Sequence, residues 1–253
     1  MKSITLHALC TAVALLSLAA VARADDPAPA AGLQRESIEW CDVWFTHADK
    51  TDKPRVLLIG DSIVQGYFPV AEREMGDAVY WGRFTTSRSI CDPVFFQELA
   101  LVVKQYKFSV IHFNHGLHGW GYTEAQYAEA FDKLLKVLKE DGQGAKLIWA
   151  ATTPVQSGSS MGTDQPRVVE RNKIAAEKVT AVGIPIDDLY ALSIDKPDVY
   201  SKDGVHFAQE GKELQGKEVV SAIKKALSNG PPPNVPNSQF LITSLPTSPH
   251  CAA

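Results

Sequence analysis

The chain lacks most of the features that would mark a metal-, nucleic-acid- or membrane-directed protein. Four cysteines occur among 253 residues and none forms a C-x-x-C pair, which argues against a thiolate zinc site and a disulfide-dense scaffold. No basic run exceeds two adjacent lysines and the formal net charge is -4. Phosphate backbones and anionic membrane surfaces need concentrated Lys and Arg, so neither is the main partner. Beyond the first 24 residues no apolar run is long enough to cross a bilayer, and no internal repeat is present. A hydrophobic content of 45% in a chain of this length supports one core that needs neither metal nor disulfide.

The N-terminus reads as an export signal over residues 1–24. Lys2 supplies the positive start, an Ala/Leu/Val stretch follows, and Ala22-Arg23-Ala24 is an A-x-A cleavage site. Cleavage removes Lys2 and Arg23, taking the formal charge from -4 to -6. The expected location is periplasmic or extracellular, with no membrane span retained. Cys10 leaves with the signal. Cys41, Cys91 and Cys251 remain, an odd number, and a Cys41–Cys91 bridge and two buried thiols are open alternatives. Residues 25–36 form a Pro/Ala-rich linker. Residues 229–253 carry six prolines among small polar residues and read as a flexible tail. The domain then spans 37–228.

Within it, short apolar runs alternate with segments of helical spacing. The runs are Arg55–Gly60, Ala78–Trp81, Phe108–Phe113, Ala145–Ala151 and Gly183–Ile186. Continuous runs of this length suit strands buried on both faces. Between them lie candidate helices at Ile63–Met75, Pro93–Gln105, Thr123–Glu140, Gln165–Val182 and Ala208–Leu227. Thr123 with Gln126 suits a capping box. Trp40 and Trp44 are placed against the sheet edge, on one face if their segment is helical. The alternation predicts a three-layer α/β/α sandwich around a five-stranded parallel sheet of flavodoxin-like order 2-1-3-4-5. Ligands of such sheets bind outside the carboxyl ends of the strands. Chemistry is therefore sought in the loops Asp61–Ser62, Arg83–Asp92, Asn114–Tyr122, Thr152–Asp164 and Asp187–His206.

Three of these loops carry reactive groups. Ser62 follows the first strand in Gly60-Asp61-Ser62 and enters a helix, where backbone N–H groups favour developing negative charge. Asp203-Gly204-Val205-His206 can fold so that the carboxylate fixes the imidazole tautomer. Asn114 ends the third strand, and its amide can donate to an oxyanion without adding charge. Taken singly, these residues are as well explained by an N-cap, a surface histidine and an Asx-turn.

Together, in order and spacing, they resemble the signature blocks of the SGNH (GDSL) hydrolases, over roughly Pro54 to Leu227. The resemblance implies a serine ester hydrolase working through an acyl-serine intermediate without cofactor or metal. It gives Ser62 as nucleophile, His206 as base, Asp203 as its support, and an oxyanion hole of the Ser62 N–H, a loop N–H and Asn114. Where the family has a loop glycine this chain aligns Arg88, whose N–H is the candidate donor. Its guanidinium is an alternative contact for a substrate carboxylate or hydroxyl. The family's acid after the asparagine is replaced by His115. Asp61, His118 and Trp120 are candidate substrate contacts, with Tyr122 beside them at the cleft mouth. His112, His115 and His118 do not share a helix face, so no metal site is expected of them. Arg171 either pairs with Asp187 or Asp188 or lies on a solvated face. The expected substrate is a small acyl ester, such as acetyl, on a small molecule or carbohydrate. The rivals are an acyltransferase with the same triad and a catalytically silent carbohydrate-binding protein.

Overall fold

The computed structural model describes residues 32–161 and 164–229. The expected signal peptide, most of the linker and all but the first residue of the tail lie outside them.

The run Arg55–Gly60 is β2, and its alternate side chains feed two separate cores. Leu57 and Ile59 face one, Val56 and Leu58 the other. That division follows from the two-residue period of a strand, and it is why the sequence shows an unbroken apolar run rather than an alternation. Strands β3 (Tyr80–Thr86), β4 (Val110–Phe113), β5 (Lys146–Ala150) and β6 (Ile186–Asp187) join it in parallel. Helices α1 (Ser62–Met75) and α6 (Gln209–Ser228) pack on the face of Val56 and Leu58. Helices α2 (Pro93–Val103) and α3 (Glu124–Asp141) cover the other face, with Ala175 and Val179 of α4 (Gln165–Ala181). A short helix, α5 (Leu189–Ile194), follows β6. The Thr123 capping box is formed as expected, with Gln126 answering the Thr123 N–H.

One correction concerns the sheet. It has six strands in the order β1-β3-β2-β4-β5-β6. The five parallel strands keep the flavodoxin-like order. The sixth, β1 (Cys41–Phe45), is an antiparallel edge strand paired with β3 from Cys41↔Thr86 to Phe45↔Gly82. The segment of Trp40 and Trp44 is thus part of the sheet and not a helix lying against it. Trp44 remains 54% exposed.

A second correction concerns the linker, whose last residues dock on the loops at the carboxyl end of the sheet. The Gln34 N–H donates to the Tyr122 hydroxyl at 2.9 Å, and Arg35 pairs with Asp92 at 3.0 Å. Cys41 and Cys91 are both free thiols, so the bridge is not formed.

Candidate active site

The N-terminus of α1 places Ser62 at the end of β2. Asp61 is its N-cap: Oδ1 accepts from the Ile63 N–H at 2.9 Å, and the residue is fully buried. Asp61 therefore holds the helix start and does not face a cleft. The first N–H groups of a helix have no intrahelical acceptor, and the helix dipole adds positive potential there. Ser62 sits in that field.

His206 reaches Ser62 from the turn before α6. Gly204 has φ +68, and a Cβ there would come within 2.9 Å of Ser159 Cβ, so glycine is required. The turn wraps Asp203 into four hydrogen bonds. Its Oδ1 accepts from the Val205 and His206 N–H groups at 2.9 Å each and from Ser201 Oγ at 2.8 Å. Its Oδ2 meets His206 Nδ1 at 2.7 Å. Partial burial opposes the charge, but these donors outweigh it and hold the carboxyl far below its usual range. An ionised carboxylate can only accept, so His206 Nδ1 carries the proton. In the neutral ring Nε2 is then the acceptor, and Ser62 Oγ, 2.8 Å away, donates to it. Hydroxyl, imidazole and carboxylate are thus aligned in one chain.

The remaining expected residues are placed differently. The Arg88 N–H donates to Thr86 Oγ1 at 3.1 Å. Its guanidinium binds Glu39 at 2.6 Å, Asp92 at 3.2 Å and Glu98 at 3.2 Å. The backbone N–H, Nε and Nη1 of Arg88 are thus committed within the fold. Its charge is neutralised by three acids, and its N–H is not free for the oxyanion role. Asn114 is buried at the end of β4. Its Nδ2 donates to Ala150 O at 2.7 Å and Thr152 Oγ1 at 3.2 Å, so both amide hydrogens have protein acceptors. Trp120 is a platform rather than an open wall: the Arg171 guanidinium lies 4.1 Å from its ring centre and that of Arg167 5.3 Å.

The three histidines diverge. His112 points to the α1/α6 side of the sheet and bonds Asp187 at 2.9 Å, both side chains fully buried. His115 stacks on Phe95 at 5.1 Å and contacts the Arg88 carbonyl. Burial holds it neutral by pushing its pKa well down. No group of three metal-ligating side chains converges among the described residues.

His118 clasps the N-terminal segment through a 2.8 Å bond from Nδ1 to Glu36 Oε1. Burial disfavours its charge, but the hydrogen bond to Glu36 and the charges of Asp61 and Glu36 raise it above its ordinary value. Glu36 is lowered: burial opposes ionisation and the His118 bond and charge overcome it. The histidine contribution to stability is complete below its unfolded value of 6.5 and lost as pH rises through the raised one. The carboxylate contribution is complete above 4.5 and lost as pH falls through the lowered one. The stability difference between wild type and His118→Gln is therefore expected to be largest between about pH 4.5 and 6.5 and to shrink toward pH 8. Urea unfolding across that range would measure it, and a flat difference would contradict the clasp.

Arg171 overturns both sequence alternatives. It is 1% exposed and binds neither Asp187 nor Asp188. It donates to the carbonyls of Gly116 at 3.0 Å, His118 at 2.8 Å and Gly119 at 3.0 Å, and Glu124 lies 3.4 Å away. Beside it, Asn172 binds the backbone of Thr152 in both directions at 2.8 Å. Thr152 Oγ1 packs so closely on Gly116 that a Cβ there would sit 2.0 Å from it. These two α4 residues fix the loops that flank Asn114. The Arg171-Asn172 pair was visible in the sequence, but its targets, carbonyls in a loop more than fifty positions away, were not.

No family profile and no curated protein matches the chain. Solved structures do. A lipase/acylhydrolase from Enterococcus faecalis is 25% identical, with a TM-score of 0.58 over 68% of this chain and 96% of that one. An acetyl xylan esterase (16% identity, TM-score 0.57) is covered over 99% of its length by 67% of this chain. A GDSL-like lipase from Bacteroides thetaiotaomicron (19% identity, TM-score 0.55) is covered over 88% by 68% of this chain. The last two likenesses speak to fold alone. The order of Gly-Asp-Ser, Asn and Asp-x-x-His along the chain, their meeting at the carboxyl end of this sheet, and the acylhydrolase likeness agree with one another, and the chain has the fold of the SGNH (GDSL) hydrolases.

Proposed function

We propose that the protein is an exported serine ester hydrolase acting on a small acyl ester, with acetyl carried by a carbohydrate as the leading substrate class. The observation that carries this reading is the hydrogen-bonded chain from Ser62 through His206 to an ionised Asp203. Ser62 Oγ attacks the ester carbonyl while its proton passes to His206 Nε2. The imidazolium so formed is stabilised by Asp203. The tetrahedral oxygen takes its negative charge beside the Ser62 N–H at the start of α1. Asn114 joins by exchanging its longer bond, that to Thr152 Oγ1, for the oxyanion. Collapse breaks the acyl C–O bond, and His206 returns the proton to the departing alcohol. Water then repeats the sequence on the acyl-serine, releasing the acid and restoring Ser62.

Export rests on the features of residues 1–24. Among the described residues no helix is long and apolar enough to cross a membrane. The acetyl preference is supported by the acetyl xylan esterase among the fold neighbours. The test is release of p-nitrophenol from its acetate, butyrate and octanoate esters. Turnover highest on acetate and falling with chain length is the expected result. A maximum on octanoate would overturn the small-acyl reading while leaving the esterase intact.

A further inference from the structure

The cavity beside Ser62 lies on one side only of the serine. It is lined by Ser62, Gly66, His206 and Phe207 and, from α6, by Lys212 and Gln215. Asn114 and Thr152, on the β4–β5 side of Ser62, take no part in it.

Two polar groups within it are unmatched. Gln215 is 1% exposed, and neither its Oε1 nor its Nε2 has a hydrogen-bond partner. A buried carboxamide without partners is costly, and native structures rarely leave both of its polar atoms unused. Lys212 lays its aliphatic stem over Gly66, with Cε 3.5 Å from where a Cβ would stand there. Its ammonium has no ion pair or side-chain hydrogen bond among the described residues. The neighbouring acid, Glu213, is turned to Arg73 at 2.6 Å and Gln209 at 3.0 Å, and Asp203 is held by its own turn and His206. A cation and a buried, unpartnered amide thus line one small pocket with no protein anion paired to the cation.

We infer that this pocket receives a carboxylate carried by the alcohol part of the ester. This rests on the esterase reading above and narrows its substrate class. The side of the ester follows from the mechanism. His206 Nε2 must face the departing oxygen to protonate it, so substituents of the alcohol begin at His206. A pocket that shares His206 and Ser62 but lies away from Asn114 is on that side. Lys212 supplies the charge. Acetylated hydroxy acids, including acetylated uronic-acid residues of acidic polysaccharides, have this chemistry.

The probes are 2-acetoxypropanoate and its neutral isostere 2-acetoxypropanamide, followed by acetate release. Wild type is expected to prefer the carboxylate by about tenfold in kcat/KM, the worth of one charged hydrogen bond. In Lys212→Met, which keeps the stem over Gly66, the preference is expected to fall to near one. Because the ratio is internal to each variant, it does not depend on how much protein folds. As a second measurement needing no variant, 2-hydroxypropanoate is expected to inhibit p-nitrophenyl acetate hydrolysis competitively, and more strongly than 2-hydroxypropanamide. Equal kcat/KM for the two esters, or a preference that survives in Lys212→Met, overturns the pocket assignment while p-nitrophenyl acetate turnover continues. Absence of any Ser62-dependent turnover, p-nitrophenyl acetate included, overturns the esterase reading and the pocket with it.

Discussion

Ser62→Ala is expected to lower kcat on p-nitrophenyl acetate by about ten-thousand-fold or more, with little change in stability. The hydroxyl is the atom that bonds to the acyl carbon, and no other described hydroxyl is paired with the His206 ring. His206→Ala should cost about as much, because it leaves the hydroxyl without an acceptor for its proton. The double variant should lose no more than either single one, since the two groups act in one step. Asp203→Asn tests the tautomer argument separately. Its amide can still accept from the Val205 and His206 N–H groups, so the turn survives. The group facing Nδ1 becomes a donor, however, and the imidazole must turn its proton toward Ser62. A loss approaching that of Ser62→Ala is expected, again about ten-thousand-fold. Burst kinetics with p-nitrophenyl acetate would follow acylation directly. Wild-type rates in Ser62→Ala would remove the nucleophile assignment, and wild-type rates in Asp203→Asn would remove the tautomer argument alone.

How much of this was legible beforehand depended on whether a residue's partners were near it in sequence. Strands β2 and β4 were readable because each is buried on both faces, which makes the run largely apolar along its length. Strand β1, Cys-Asp-Val-Trp-Phe, was not, because an edge strand has one exposed rim and no such requirement. Its pairing with β3 is set by residues some forty positions away. Ser62 and the Asp203–His206 turn were legible because local geometry nearly decides them: an N-cap and helix start for one, a four-residue turn with a glycine for the other. Arg88 and Asn114 were misjudged in availability for the opposite reason. Their donors are taken by Glu39, Glu98, Ala150 and Thr152, brought in from three different places in the chain. A family pattern reports which residue stands at a position and says nothing of what else the fold hands it.

Arg171 is the residue where that gap has the largest energetic consequence. Arg171→Met nearly conserves volume and keeps the contact with Trp120, yet it removes the guanidinium donors to the Gly116, His118 and Gly119 carbonyls, leaving Gly119 O the Tyr122 N–H at 3.1 Å. Those oxygens are buried, and Glu124 loses a cation 3.4 Å away. Breaking a buried charged network from one side costs about 3–5 kcal/mol, because the partners keep their desolvation penalty and lose their compensation. For a chain of this size the melting temperature should fall by roughly 10 °C. Arg171→Lys should recover little, since one ammonium cannot span three carbonyls in the plane of the fork. The loop it holds runs directly from Asn114. In the fraction that stays folded, kcat is therefore expected to fall as well, with KM less affected, because the loss is in placing an oxyanion donor rather than in binding the ester. Urea unfolding combined with kinetics on the same preparations separates the two effects. A stability loss under 1 kcal/mol would show that the clamp is not needed to hold the loop, and an unchanged kcat would show that the loop does not set the geometry at Asn114.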